Sequence, residues 1–101
     1  MGMTWSERLY EFGYHAYNSD DYSGAIKYLS LAVKEQFDNW NAHFYLAISY
    51  YQTGQYGRAL VEFCIIENCA VDMELKQQAN VALKNLRRMP GLAETVASGA
   101  A

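Results

Sequence analysis

Apolar residues recur along this chain at the spacing of one buried helix face, in segments separated by short polar turns. Between Tyr22 and Gln36 the apolar positions lie three or four residues apart, which is the period of an amphipathic helix. They are Ala25, Ile26, Leu29, Ala32 and Val33. A cluster of turn-forming residues at 18–21 precedes this segment. The pattern predicts an all-α protein.

Start and stop signals divide the chain into five predicted helices. Thr4 opens a capping box, and Asn39 and Asp72 are residue types that cap helix N-termini. Gly54 suits the left-handed residue that ends a helix. The predicted helices run from Trp5 to about Asn18, Tyr22 to about Gln36, Trp40 to about Gln52, Tyr56 to about Asn68, and Met73 to about Arg88.

The second pair of helices repeats the first pair with an offset of 34 residues. The matched pairs are Phe12/Leu46, Gly13/Ala47, Tyr17/Tyr51, Tyr22/Tyr56, Ala25/Ala59, Ile26/Leu60, Leu29/Phe63 and Phe37/Val71. A fixed period of this length is typical of helical solenoids. It predicts hairpins at residues 5–38 and 39–72 and a capping helix at 73–89. Residues 1–4 are expected to be an N-terminal tail or vector remnant, and residues 90–101 a mobile tail.

Two helical hairpins with these side chains resemble tetratricopeptide repeats. That family has a large apolar residue before Gly or Ala in its first helix, and Ala before an aromatic residue or Leu in its second. The matching residues are Phe12, Gly13, Ala25, Leu29 and Ala32, then Leu46, Ala47, Tyr50, Ala59 and Phe63. The match covers about Trp5 to Met73, but Phe37 and Val71 replace the usual Pro and Ile66 replaces a small residue. The resemblance implies an α-solenoid of two antiparallel hairpins plus a capping helix.

The resemblance also implies a concave groove that binds peptides and is lined by the first helix of each hairpin. Carried over position by position, its residues are Tyr10, Tyr14, Tyr17, Asn18, Phe44, Ile48, Tyr51, Gln52, Gln78, Ala82 and Asn85. The spacing of Tyr10, Tyr14 and Tyr17 agrees, because positions i, i+4 and i+7 share one helix face. Tyrosine is enriched at interfaces, where it offers a large area and a polar tip. An aromatic stripe of this kind is also typical of a core, so both interpretations stay open.

The sequence argues against one subtype of the family, the chaperone-binding members that hold a partner's C-terminal carboxylate. Those members use Asn together with Lys or Arg in the groove. The matching positions here are Tyr14, Ile48 and Gln78, and none of them is cationic. Charge-assisted bonds to a carboxylate cannot form there. An apolar helix or a proline-rich segment is the expected guest.

Composition limits the other classes of function. Apolar residues make up 51% of the 101 residues, and the formal net charge is −3. The chain lacks the clustered Lys and Arg of a nucleic-acid surface. No apolar run reaches the roughly 18 residues that a membrane span needs, and no apolar signal region follows a basic start. We therefore expect a soluble cytoplasmic protein that contacts neither nucleic acid nor the membrane interior.

Candidate chemistry is sparse. His15 and His43 are expected to serve packing or the surface rather than acid–base catalysis, and Asp20 and Asp21 to act as caps. Cys64 and Cys69, five residues apart at the end of the fourth helix and in the following loop, do not have a metal-ligand spacing. No phosphate loop or nucleophile motif is present. We expect no catalytic residue, metal or cofactor.

Three functions compete on this sequence. The first is an adaptor that binds a peptide or helix of another protein. The second is self-assembly, as a homodimer for example, because about three repeats are needed for a stable stack and this chain has two. The third is a fragment of a longer tetratricopeptide-repeat chaperone or regulatory protein.

Overall fold

A computed structural model of the chain describes residues 2–89, and the predicted tail at 90–101 lies outside the described residues. Within this range there are five α-helices and no strand. The helices are α1 (Trp5–Asn18), α2 (Tyr22–Glu35), α3 (Trp40–Gln52), α4 (Tyr56–Cys69) and α5 (Met73–Arg87). The predicted all-α solenoid is confirmed, with the ends of α2, α4 and α5 each displaced by one residue.

Local capping bonds set the helix starts as predicted. Thr4 Oγ1 accepts from the Glu7 amide at 3.1 Å, and Glu7 Oε1 accepts from the Thr4 amide at 3.1 Å, which completes the capping box. The N-termini of α2, α3 and α5 are capped by the side chains of Asp21, Asn39 and Asp72. Gly54, after α3, has φ 80°, a left-handed conformation that glycine adopts without steric cost.

The helices pack in chain order. The pairs α1/α2 and α3/α4 form the two hairpins, α2 packs on α3 and α4 on α5, and α1 also touches α3. Gly13 permits the close approach within the first hairpin, because a Cβ there would lie 2.5 Å from Leu29 Cγ. The result is an elongated stack of 46 × 28 × 24 Å.

The core runs along this stack and uses small residues where helices cross. The fully buried alanines are Ala25, Ala32, Ala42, Ala47, Ala59 and Ala79. Leu29, Leu46, Ile66, Leu83 and Leu86 fill the spaces between them. Central helix α3 is buried on two sides, toward both α2 and α4. The crossings of these helices therefore position the side chains that remain on the outside.

A polar link joins the two hairpins. Ser6 Oγ donates to the Ala32 carbonyl at 2.8 Å and accepts from Asn39 Nδ2 at 3.1 Å. The Asn39 side chain also caps α3 through the Ala42 amide at 3.3 Å. Ser6 is buried, so these bonds satisfy a hydroxyl that would otherwise destabilise the fold.

Helix α5 closes one end of the stack. It buries Ala79, Leu83 and Leu86 and exposes Gln77 and Lys84. A mostly polar outer face is what a solenoid needs at its end. None of the helices in the described range combines the length and the hydropathy that crossing a membrane requires.

Candidate functional site

Helices α1, α3 and α5 share a surface that carries most of the aromatic side chains, and we refer to it as the α1–α3–α5 face. Its three cavities are each lined by residues of at least two of these helices. This is the surface on which the sequence placed the groove residues. Residues from different helices line the same cavities, so side chains far apart in sequence meet on this face.

An aromatic cluster centred on Tyr45 occupies the junction of α1 and α3. The ring centroids of Tyr14 and Tyr17 each lie 5.0 Å from that of Tyr45, and that of Phe44 lies 5.4 Å away. Tyr10 stacks on Tyr14 at 5.8 Å and lies 6.3 Å from Tyr45. These distances are within the range of favourable aromatic pairs. The structure thus brings together four predicted groove residues around one that sequence reasoning missed.

Tyr45 was missed because the 34-residue repeat pairs it with Glu11, which is polar. One signal does identify it, since Asn41, Tyr45 and Ile48 are spaced i, i+4 and i+7 along α3. All three line cavities of the α1–α3–α5 face. A search for helical faces alone would have found Tyr45, whereas the repeat alignment conceals it.

Partial burial in the aromatic cluster raises the pKa of two of its phenols. Burial, followed by the proximity of Tyr45, Tyr14 and Glu11, raises the pKa of Tyr10 from 10.0 to about 12. Burial, followed by Tyr14 and Tyr17, also raises the pKa of Tyr45. Both causes disfavour a phenolate. These tyrosines therefore present neutral hydroxyls at their tips.

An apolar cavity of about 290 Å³ opens between α3, α4 and α5. Its lining comprises Ile48, Tyr51, Phe63, Ala82, Asn85 and Leu86. The predicted groove residues Ile48, Tyr51 and Asn85 therefore meet at one site. Phe63 and Leu86 also reach it, although sequence periodicity assigns both to the core.

A second cavity of about 190 Å³ lies between the N-terminal halves of α3 and α5. It is lined by Asn41, Phe44, Tyr45, Asp72, Glu74, Leu75 and Gln78. Two predicted groove residues, Phe44 and Gln78, meet here. Gln78 Nε2 donates to Glu74 Oε1 at 3.5 Å, so the amide is loosely held.

A third, more open cavity of about 440 Å³ adjoins the second one, with which it shares Asn41, Asp72 and Leu75. Trp40 and Tyr10 form its aromatic walls. Its acidic lining residues are Glu7, Glu11, Asp38 and Asp72. No Lys or Arg lines any of these three cavities. This part of the face is polar and acidic, in contrast to the apolar cavity beside Tyr51.

Two predicted groove residues lie outside both the aromatic cluster and the three cavities. Asn18 and Gln52 are exposed at the C-terminal ends of α1 and α3, and neither lines the three cavities described above. The other predicted groove residues belong to the aromatic cluster or line a cavity, whereas these two lie at the edge of the face.

His43 is a buried structural link between helices. Its Nδ1 lies 2.7 Å from Glu62 Oε1 on α4, and its Nε2 lies 2.7 Å from the Phe37 carbonyl in the loop before α3. Its ring stacks on Trp40 at 5.5 Å. Both nitrogens are engaged within the fold, which leaves neither free to face a substrate. His15, by contrast, is exposed on α1.

The cysteines are free, Cys64 half-buried and Cys69 exposed. The prediction that Cys69 lies in the following loop is wrong by one residue, because Cys69 is the last residue of α4. Over residues 2–89 no group of three or more His, Cys, Asp and Glu side chains is arranged to hold a metal ion.

The likeness to tetratricopeptide repeats stands on this chain's own residues, namely the 34-residue period and its large–small pairs. Comparison with models of known protein families, with curated proteins and with solved structures gives no match to the chain.

Proposed function

We propose that this chain is a protein-interaction module of the tetratricopeptide-repeat type, whose α1–α3–α5 face binds a helical segment of a partner protein. The apolar cavity beside Tyr51 carries this proposal. Tyr51 is 43% exposed, and the cavity it borders is open and apolar. An apolar side chain from a partner would remove this surface from water, which is favourable in proportion to the area covered.

The size of the cavity sets the kind of anchor. A volume of about 290 Å³ is at the small end of ligand sites, and it suits one or two apolar side chains rather than a cofactor. Helical partners insert such anchors at intervals of three or four residues. The aromatic cluster around Tyr45 continues the face and supplies an aromatic wall for the rest of the segment.

The charges on the α1–α3–α5 face also determine which charge on a partner segment is favoured. Asp72 and Glu74 line the cavity next to the apolar one, and no cation balances them there. A segment with Lys or Arg beside its apolar anchor is therefore favoured over an acidic segment. A partner's terminal carboxylate is disfavoured for the same reason, because Ile48 and Gln78 offer it no positive charge.

The proposed activity is binding rather than catalysis. Acid–base chemistry needs a titratable side chain within reach of a substrate. His43, the buried histidine nearest to this face, has its two nitrogens on Glu62 and on the Phe37 carbonyl. That arrangement supports a structural role for it.

Selection from a random library of displayed 16-residue peptides, followed by fluorescence anisotropy of the enriched sequences, tests this proposal. We expect amphipathic peptides that combine a large apolar residue with Lys or Arg. Tyr51→Ala removes the cavity wall and Ala82→Leu fills the cavity, so each is expected to weaken binding at least tenfold. Circular dichroism checks that both variants keep their helices.

Val61→Ala is the matched control, since Val61 is 52% exposed on α4 and lines none of the three cavities of this face. It is expected to bind as the wild type does. Enriched peptides that bind Tyr51→Ala and Ala82→Leu at full strength would place the binding surface elsewhere. A library that yields no enriched peptide would overturn the proposal itself.

A further inference from the structure

The first hairpin carries an exposed apolar surface at the end of the stack opposite α5. Trp5 and Phe12 of α1 are 59% and 55% exposed, and Leu31 of α2 is 42% exposed. The half-buried Tyr28 packs against Phe12, with ring centroids 5.5 Å apart. We refer to these four residues as the end face.

The register of the hairpin makes this surface continuous. Ser6 Oγ bonds the Ala32 carbonyl, so the start of α1 lies beside the end of α2. Trp5 and Leu31 directly precede these two bonded residues in sequence, and Phe12 packs on Tyr28 further along the hairpin. The two helices thus present adjoining apolar stripes.

The internal repeat shows which surface of the second hairpin corresponds to the end face. Phe12 of α1 corresponds to Leu46 of α3 at the 34-residue offset, and Leu46 is only 2% exposed. Next to them, Arg8 corresponds to Ala42, which is 0% exposed. In α3 these positions are buried because the first hairpin packs on that side. The end face is the same hairpin-to-hairpin surface, and no described residue of the chain covers it.

The opposite end of the stack cannot cover it in a second copy. There α5 exposes Gln77 and Lys84, at positions equivalent to the buried His43 and Tyr50 of α3. Packing an apolar end face on them would take an amide and an ammonium group out of water, which is costly. Head-to-tail stacking of copies is therefore disfavoured. The surface that matches an end face is another end face.

The charges beside the end face allow this self-pairing. Arg8 on α1 and Glu35 on α2 are exposed, are of opposite sign, and take part in no ion pair within residues 2–89. Lys27 Nζ also lies 5.6 Å from the centroid of the Tyr28 ring, so the border of the end face carries charges of both signs, and a rotated copy can set Glu35 against Arg8 or Lys27. A two-fold axis closes such a contact at two copies.

We propose that two copies of this chain associate through their end faces as a closed, two-fold dimer. The contact supplies to each first hairpin the packing partner that the second hairpin already has. It uses none of the cavity residues Ile48, Tyr51 and Ala82, so the peptide-binding proposal stands or falls separately. A dimer of this form would present two copies of the α1–α3–α5 face, and a partner with two segments would bind it with avidity.

Sedimentation and light scattering across a hundredfold range of protein concentration test the dimer. We expect the mass to rise from 11.5 kDa to twice that value and to stop there. The double variant Phe12→Glu/Leu31→Glu is expected to raise the dimer dissociation constant at least tenfold. The matched control Val61→Glu/Val81→Glu changes two exposed valines outside the end face, and it is expected to dimerise normally.

Trp5 supplies a second measurement that leaves the end face intact. The chain has two tryptophans, so Trp40→Phe leaves Trp5 as its single tryptophan, which long-wavelength excitation selects over the nine tyrosines. Acrylamide is expected to quench Trp5 strongly in dilute solution and weakly once the dimer forms. A mass of 11.5 kDa at every concentration would overturn the proposal, as would growth beyond two copies. Trp5 quenching in Trp40→Phe that is independent of concentration would contradict it as well.

Discussion

Among the tyrosines of the aromatic cluster, Tyr10 has the most strongly raised pKa. Its pKa rises from 10.0 to about 12, chiefly through burial and then through the neighbouring Tyr45 and Tyr14. The folded protein therefore holds this proton more tightly than the unfolded chain does. The stability that Tyr10 contributes is fully present below about pH 10, and it is lost as the pH rises toward 12.

Urea unfolding at a series of alkaline pH values measures this loss. We expect the midpoint to fall between pH 10 and 12, and to fall less steeply in Tyr10→Phe, which has no hydroxyl to titrate. Tyrosinate absorbance should show in parallel that a phenol ionisation near pH 12 in the folded protein is missing in that variant. Identical alkaline slopes in the two proteins would mean that Tyr10 is solvated and that the cluster is open.

At the scale of the helices, substitution by alanine is expected to have opposite effects on stability at two glycines. A Cβ at Gly13 would lie 2.5 Å from Leu29 Cγ and 3.2 Å from the Leu29 amide nitrogen, whereas nothing lies within 4 Å of a Cβ at Gly57. Gly13→Ala should destabilise the protein by about 1–3 kcal/mol, because α1 and α2 must move apart. Gly57→Ala should stabilise it by about 0.5–1 kcal/mol, because alanine favours the helix.

Thermal unfolding followed by circular dichroism compares these two variants directly. A similar shift of the melting temperature in both would show that helix propensity dominates, and that the crossing of α1 and α2 relaxes without cost. A shift down for Gly13→Ala and up for Gly57→Ala would confirm that the small residue is required for close packing.

The elements also show which features a sequence can predict. Thr4, Asn39 and Gly54 act within a few residues of themselves, so their roles were predictable from local pattern. Phe63 of α4 reaches the α1–α3–α5 face only because separate helices converge there. That convergence depends on crossing geometry, which no local spacing encodes.

The repeat pattern alone does not predict which residues are exposed at the end of the stack. Phe12 and Leu46 occupy matching positions and have similar side chains, yet one is 55% exposed and the other 2%. The difference comes from what lies next to each hairpin rather than from the residues. The position of a residue in the repeat therefore predicts which surface of the hairpin it lies on. Only the packed structure shows whether a neighbouring hairpin covers that surface.

For the whole molecule, the linear stack predicts a gradient of local stability. Helix α3 buries six residues and has neighbours on two sides, whereas α1 and α5 bury three each at the ends. In a stack whose units touch only their neighbours, the ends can open without the centre. Amide hydrogen exchange should therefore be slowest in α3, intermediate in α4 and fastest in the two end helices.

Repeating the exchange measurement at high protein concentration separates the two ends. If end faces pair, the amides of α1 should exchange more slowly as the dimer forms, while those of α5 should be unchanged because α5 lies at the far end of each copy. Protection that increases equally in all five helices would indicate a general stabilisation by mass action with no defined contact. Protection confined to α5 would place the contact at the polar end of the stack, where Gln77 and Lys84 would have to be satisfied by a partner.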